Sequence, residues 1–227
     1  MKRFWTQVAV DASRGITLDG RPVRTPGRMP LTLPTDALAK AVAEEWRAVG
    51  ETLDPRAMPL TGLANAAIDW IAPDPERFAA DLARYGESDL LCYRADAPDP
   101  LVARQAAAWD PVLDWVRTRY DVHVDTVTGM IHRAQPAATL NRLGDAVIRQ
   151  DAFTLAGLSP VVTLTGSLLL ALAVLEQAID ADAAWSAAHV DEDWQADQWG
   201  EDTLARQTRE TRRREFNAAT RFLKLLR

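Results

Sequence analysis

No disulfide can close within this chain, because Cys92 is its single cysteine; a reducing, cytoplasmic compartment is the expectation that follows. The chain also has no glycine-rich phosphate loop, no G-x-S-x-G turn and no H-E-x-x-H helix, so those routes to nucleotide binding, acyl transfer or zinc chemistry are not open to it. Histidine is scarce, and His123, His132 and His189 lie far apart in sequence. Met1 to Val10 holds no long apolar segment, so neither an export signal nor a transit peptide is expected. Excess positive charge is missing as well. The formal net charge of -6 argues against general affinity for nucleic acid or anionic lipid.

What is present is ordinary for a globular chain: 227 residues, 48% hydrophobic and 26% charged, enough for one large or two small domains with a substantial core. The most apolar stretch runs from Leu158 to Ile179. It falls short of the roughly 20 uninterrupted apolar residues a bilayer span requires, and Thr163, Thr165, Gly166 and Ser167 interrupt it. It reads as the central buried helix of a soluble bundle, with Pro160 in its first turn.

Ahead of it, Phe4 to Val10 alternates with Phe4, Val8 and Val10 on one face, and Asp19-Gly20 signals a two-residue hairpin because both positions need positive φ. Arg21 to Arg24 is the expected return strand, and Leu31 and Leu33 belong to a further one. Thr35 caps a helix carrying Leu38, Val42, Trp46 and Val49, which Gly50 ends. Leu60, Leu63, Ala64, Ala67, Ile68 and Ile71 form the stripe of a second. Asp74-Pro75 then opens a mostly helical remainder. The expected fold is α+β. A small N-terminal antiparallel sheet with two covering helices spans residues 1–72, and a larger all-helical domain spans 73–227. The last two helices are expected over 181–199 and about 203–226, the final one turning Leu204, Phe216, Ala219, Leu223 and Leu226 inward.

Few residues are placed for chemistry. Cys92 in the run LLCY reads as a buried, inert thiol. His189 and Glu192 stand at i and i+3, a spacing used by metal-binding bundles, but no second histidine-carboxylate pair accompanies them; no metal and no cofactor are expected. The arginines of the last helix, Arg206, Arg209, Arg212, Arg213 and Arg214, face an acidic preceding helix, so pairing with it is favoured over nucleic-acid binding. On a continuous helix Trp185, Glu192 and Trp199 would repeat every seven residues, setting a carboxylate in an aromatic stripe. Two readings stay open there. Glu192 pairs with an arginine of the final helix, or Glu192, Gln195 and the tryptophans form a binding face.

Arg3-Phe4-Trp5, Leu18-Asp19-Gly20-Arg21, Thr25-Pro26, Ala43 to Trp46, Met58-Pro59-Leu60-Thr61, Tyr85, Asp89 to Arg94, Gln105 with Trp109-Asp110-Pro111, Gly166-Ser167-Leu168, and Glu192, Gln195, Trp199 and Gly200 follow one another in an order that resembles the ATP synthase assembly chaperones acting on the α subunit of the catalytic head. The resemblance implies two domains, a partner in the unassembled α subunit and no catalytic residue. It carries the family's important glutamate to Glu192, and the expected client-binding residues are Glu192, Gln195, Trp194, Trp199 and Glu201. Members often have an acidic residue and a histidine after the Trp-Gly pair; Glu201 and Asp202 are present, but 203–207 contains no histidine. The expected molecule is a monomeric, non-enzymatic chaperone, without membrane insertion or nucleic-acid binding. An enzyme using carboxylates near Glu192 is the alternative.

Overall fold

A computed structural model describes residues 2–129 and 131–227. The chain forms two compact units, one from Met1–Phe78, Gln150–Leu158 and Ala218–Arg227, the other from Ala79–Arg149 and Ser159–Asn217. These units are discontinuous in sequence, so they are a different partition from a single cut between residues 72 and 73.

In the first unit β1 (Val8–Val10), β2 (Ile16–Leu18) and β3 (Arg21–Pro22) form an antiparallel sheet in that order, with Ala9 opposite Thr17 and Leu18 opposite Arg21. Asp19 and Gly20 take φ of 48° and 78°, the left-handed conformations a tight hairpin requires. The expected strand from Phe4 is shorter than its alternation suggested. The amides of Thr6 and Gln7 donate to the Asp19 carboxylate at 3.1 and 2.8 Å instead of to a ladder, leaving Phe4 exposed while Trp5 enters the core. Leu31 and Leu33 are buried, yet their segment pairs only through isolated bridges, Gly15 with Thr32 and Arg24 with Pro30.

Helix α1 (Asp36–Ala48) begins where the Thr35 hydroxyl accepts from the Leu38 amide at 3.1 Å. It buries Leu38, Val42 and Trp46. Helix α2 (Pro59–Ala66) is capped from outside by Glu45, whose carboxylate accepts from the Leu60 and Thr61 amides, each at 2.8 Å. A π-helical turn, Ala67–Ile71, extends it. The core gathers Trp5, Ile16, Leu31, Leu33, Leu38, Val42 and Leu60, with Phe222 from near the C-terminus.

The remaining elements are α3 (Pro75–Ala83), β4 (Tyr93–Arg94), α4 (Asp99–Tyr120), β5 (Val127–Thr128), α5 (Ala137–Ile148), α6 (Ala152–Thr165), α7 (Leu168–Leu175), α8 (Ala181–Ala188), α9 (Val190–Trp199) and α10 (Thr203–Leu225). β4 and β5 pair in parallel. Within the second unit α4 packs on α7, α8 and α9, and it runs unbroken through Pro111.

Three expectations are corrected here. The apolar run is two helices, because Gly166 takes φ 66° and Ser167 caps a new start by accepting from the Leu170 amide at 3.0 Å. Pro160 lies inside α6, whose first turn is capped eight residues earlier than expected for a proline-led start: Asp151 accepts from the Phe153 and Thr154 amides at 2.8 and 2.9 Å. The helix expected over 181–199 breaks at His189, which ends α8 and begins α9.

Asp89 organises the second unit from inside. Fully buried, its carboxylate accepts from the Leu91 amide at 3.1 Å, the Ser167 hydroxyl at 2.8 Å and the Leu169 amide at 3.0 Å. A carboxylate at the first turn of α7 satisfies amides that the helix itself leaves unpaired.

Candidate functional face on α9 and α10

The break at His189 decides how the tryptophans are used. Trp185 on α8 is 5% exposed and stacks on the His189 ring at 3.8 Å between centroids, while Trp199 at the end of α9 is 79% exposed. The seven-residue stripe is therefore not one surface. Between them Trp194 is half-buried, with the Arg104 guanidinium 5.0 Å from its ring centre; Arg104 also meets Asp197 at 2.7 Å.

The base of α9 is fixed by buried polar groups. The Gln105 side chain on α4 accepts from the Ala95 amide and donates to Asp191, at 2.8 and 2.7 Å. The Trp109 indole donates to the Ala187 carbonyl at 2.6 Å. His189 sets its Nδ1 2.8 Å from the Trp185 carbonyl. Burial lowers its pKa, partly offset by that carbonyl and by the Glu192 carboxylate, which raise it. A neutral imidazole donating through Nδ1 is the form that fits.

Above this base, α9 and α10 enclose a cleft of about 540 Å³ lined by Glu192, Gln195 and Ala196 from α9, Glu201 from the connecting turn, and Leu204 and Arg212 from α10. Gly200, with φ 78°, makes that turn. Glu192 has its side chain 54% exposed; the Arg212 Nη1 cation lies 3.7 Å away and the His189 Nε2 of the neutral ring 3.6 Å away. Both lie beyond a direct hydrogen bond. The pairing reading is thus met only loosely, and the carboxylate stays accessible to a ligand.

The α10 arginines are more strongly engaged elsewhere. Arg209 pairs with Asp193 and Arg213 with Asp182; Arg206 meets Glu201 at 3.6 Å. Arg213 also lies 5.0 Å over the Trp185 ring. Paired arginines on an acidic neighbour make a weak phosphate surface.

Glu192, Gln195 and Glu201 thus share one cleft, whereas Trp194 and Trp199 lie outside its lining. Leu204 is a residue that sequence reasoning placed wrongly: expected in the core, it is 72% exposed at the cleft rim. The signal available was its position in the first turn of α10, where 202–208 is polar on every side except at Leu204 and Ala205.

His189 and Glu192 approach each other, but among the described residues no group of three His, Cys, Asp or Glu side chains could hold an ion. Among the same residues, no helix is long and apolar enough to cross a membrane. Cys92 is buried, and burial pushes its thiol up to about 12, the opposite of what a nucleophile needs.

Residues 2–117 match the model of the ATP12 chaperone protein family, and the likeness to solved structures covers the whole chain. The chain belongs to the ATP12 chaperone family. A mutant of P. denitrificans Atp12p is 44% identical, with a TM-score of 0.94 over 100% of this chain and 98% of that one. Atp12 from Paracoccus denitrificans is likewise 44% identical over the same shares, at 0.93. The Atu1473 protein of Agrobacterium tumefaciens is 42% identical, at 0.93 over 100% of this chain and 86% of its own. The chain is accordingly a chaperone of ATP synthase assembly.

In this ATP12 family member several family-like motifs are structural. Ala43 to Trp46 and Met58 to Thr61 meet through Glu45, and Asp89 and Ser167 meet in the second unit. The α9–α10 cleft lies beyond residue 117, outside the stretch that the family model matches.

Proposed function

We propose that this chaperone binds the unassembled α subunit of F-type ATP synthase, covers its β-facing surface and is displaced when the β subunit arrives, with no catalytic step. The observation that carries this reading is the exposed cleft in which Glu192, Gln195 and Glu201 converge beside Leu204. Trp199 and Trp194 would extend the contact beyond the cleft. Association there draws on apolar area and a few directed polar contacts, and release follows from competition for the same client surface.

Glu192→Lys tests it. The side chain is half exposed and loosely partnered, so the melting temperature is expected to move by less than about 2 °C, corresponding to well under 1 kcal/mol. Capture of isolated α subunit in a pull-down should fall at least about tenfold, as loss of a charged contact costs roughly 1.5–3 kcal/mol. Unchanged capture at equal protein load would remove Glu192 from the interface. Trp199→Ala is expected to weaken capture by a smaller factor of about three to ten, with no change in melting.

A further inference from the structure

We propose a second docking surface on the first unit, built on Trp70 and Met29, that takes an acidic polypeptide segment bearing apolar side chains. Trp70 is 80% exposed and Met29 52%, the largest apolar groups this unit leaves in solvent apart from Phe4. Isolated exposed apolar residues are common; these two are held on a built frame.

That frame begins with the π turn Ala67–Ile71, in which the Ala72 amide donates to the Ala67 carbonyl at 2.8 Å. Such turns insert a residue into a helix and often mark functional positions. Here the turn keeps Ala67 and Ile71 in the core, turns Trp70 outward and aims Asp69 at the loop after β3. The Asp69 carboxylate accepts from the Thr25 hydroxyl at 2.6 Å and from the Gly27 amide at 2.7 Å. Thr25 Oγ1 in turn accepts from the Met29 amide at 3.1 Å. Met29 is therefore two hydrogen bonds from the residue preceding Trp70. A Cβ at Gly27 would sit 2.6 Å from the Asp69 carboxylate, so the clamp depends on glycine there.

Charge complementarity selects the occupant. Arg21, Arg24 and Arg28 are exposed on the hairpin and the clamped loop, and none forms a salt bridge among the described residues. Arg24 Nη1 donates to the Arg28 carbonyl at 2.8 Å, which fixes its direction. The clamp's one acid, Asp69, is engaged by its hydroxyl and amide donors. An indole and a thioether with Arg24 and Arg28 on the same clamped loop, neither in a salt bridge among the described residues, suit carboxylates interleaved with apolar side chains, through cation-to-carboxylate bonds and aromatic burial.

The test uses the full chain with ¹⁵N-labelled tryptophan and two synthetic amphipathic peptides, one of leucine and glutamate and its counterpart with glutamine in place of glutamate. The acidic peptide should shift the Trp70 indole signal, assigned by its loss in Trp70→Ala, and leave that of buried Trp109 in place. Affinity should fall at least tenfold for the glutamine peptide and for Arg24→Glu/Arg28→Glu, with melting unchanged in the variants. An unmoved Trp70 signal, or equal binding of the two peptides, overturns the proposal. So does concentration-dependent self-association abolished by Trp70→Ala, which would assign the face to a second copy. Retention on phosphatidylglycerol vesicles lost in the same variant would assign it to a lipid surface and overturn it too. None of these readouts depends on Glu192 or on the α subunit, so they stand or fall apart from the cleft.

Discussion

Replacing Asp89 by alanine is expected to lower the melting temperature by roughly 8–16 °C, one of the two largest effects of any single substitution argued for this chain. Three donors, the Leu91 amide, the Ser167 hydroxyl and the Leu169 amide, lose their acceptor in a place water does not reach. Unsatisfied buried groups cost about 1–3 kcal/mol each. Taking a value between the low end and the middle of that range for each of the three donors gives about 4 kcal/mol, and about 2–4 °C per kcal/mol is typical at this chain length. Asp89→Asn should lose less, because one oxygen still serves Leu91 and Ser167 while the amide nitrogen is set against the Leu169 N–H.

The same carboxyl gives the expectation a pH dependence. Burial raises its pKa to about 6 against the hydrogen bonds from Leu169, Ser167 and Leu91, which lower it. A carboxyl raised above its unfolded value of 3.8 binds protons more readily in the folded state. Its contribution is thus fully present below about pH 4 and declines as pH rises through about 6. The stability gap between wild type and Asp89→Ala should therefore be wider at pH 4.5 than at pH 7.5, by roughly 2 kcal/mol. Urea unfolding of both proteins at the two pH values measures it; a gap that widens with rising pH would reverse the sign and contradict the assignment.

How much of this was legible without coordinates depends on whether a residue's neighbour is local. Asp19-Gly20 and Thr35 were readable because a turn's φ requirement and a helix cap are satisfied within three residues of the signal. Gly166-Ser167 carried the same kind of signal, a left-handed glycine followed by a capping serine, but the unbroken leucines on either side masked it. Pro160 misled for a physical reason: proline prefers a first turn, and the competing cap at Asp151 gives no hint of how far its helix will run. The break at His189 had no local signal at all. The side chains that bond on either side of it, Gln105 to Asp191 and Trp109 to the Ala187 carbonyl, come from α4, over 75 residues away.

The candidate site was legible to the same degree. Glu192 and Gln195 are expected from their spacing and the family resemblance, and Glu201 from the resemblance alone; the three line one cleft. Trp185 was grouped with them on the premise of one continuous helix, and burial removes it. The α10 periodicity turns Leu204 inward, yet it is 72% exposed. It is exposed because the first turns of a long helix can project past the core they later join, a matter of tertiary reach that a 3.6-residue repeat does not encode.

That reach makes the α4 support of the cleft the place for the second large effect. Trp109 is almost fully buried, donates its indole N–H to the last turn of α8, and carries the Arg94 guanidinium 5.1 Å from its ring. Arg94 is itself held by Asp110 at 2.7 Å. Trp109→Ala is expected to cost about 3–5 kcal/mol through cavity formation and an orphaned carbonyl, lowering the melting temperature by roughly 6–20 °C. Trp109→Phe keeps most of the volume and should cost about 1–2 kcal/mol. The informative quantity is capture of α subunit measured well below both melting points. Because the Ala187 carbonyl lies two residues before the His189 break, losing its donor should loosen the α8–α9 joint and weaken capture in Trp109→Phe by about two- to fivefold, while hydrogen exchange speeds up at 187–192. A phenylalanine variant with native exchange at 187–192 would show that the break is held by Gln105 and Asp191 alone, in which case Gln105→Leu should produce the loosening instead.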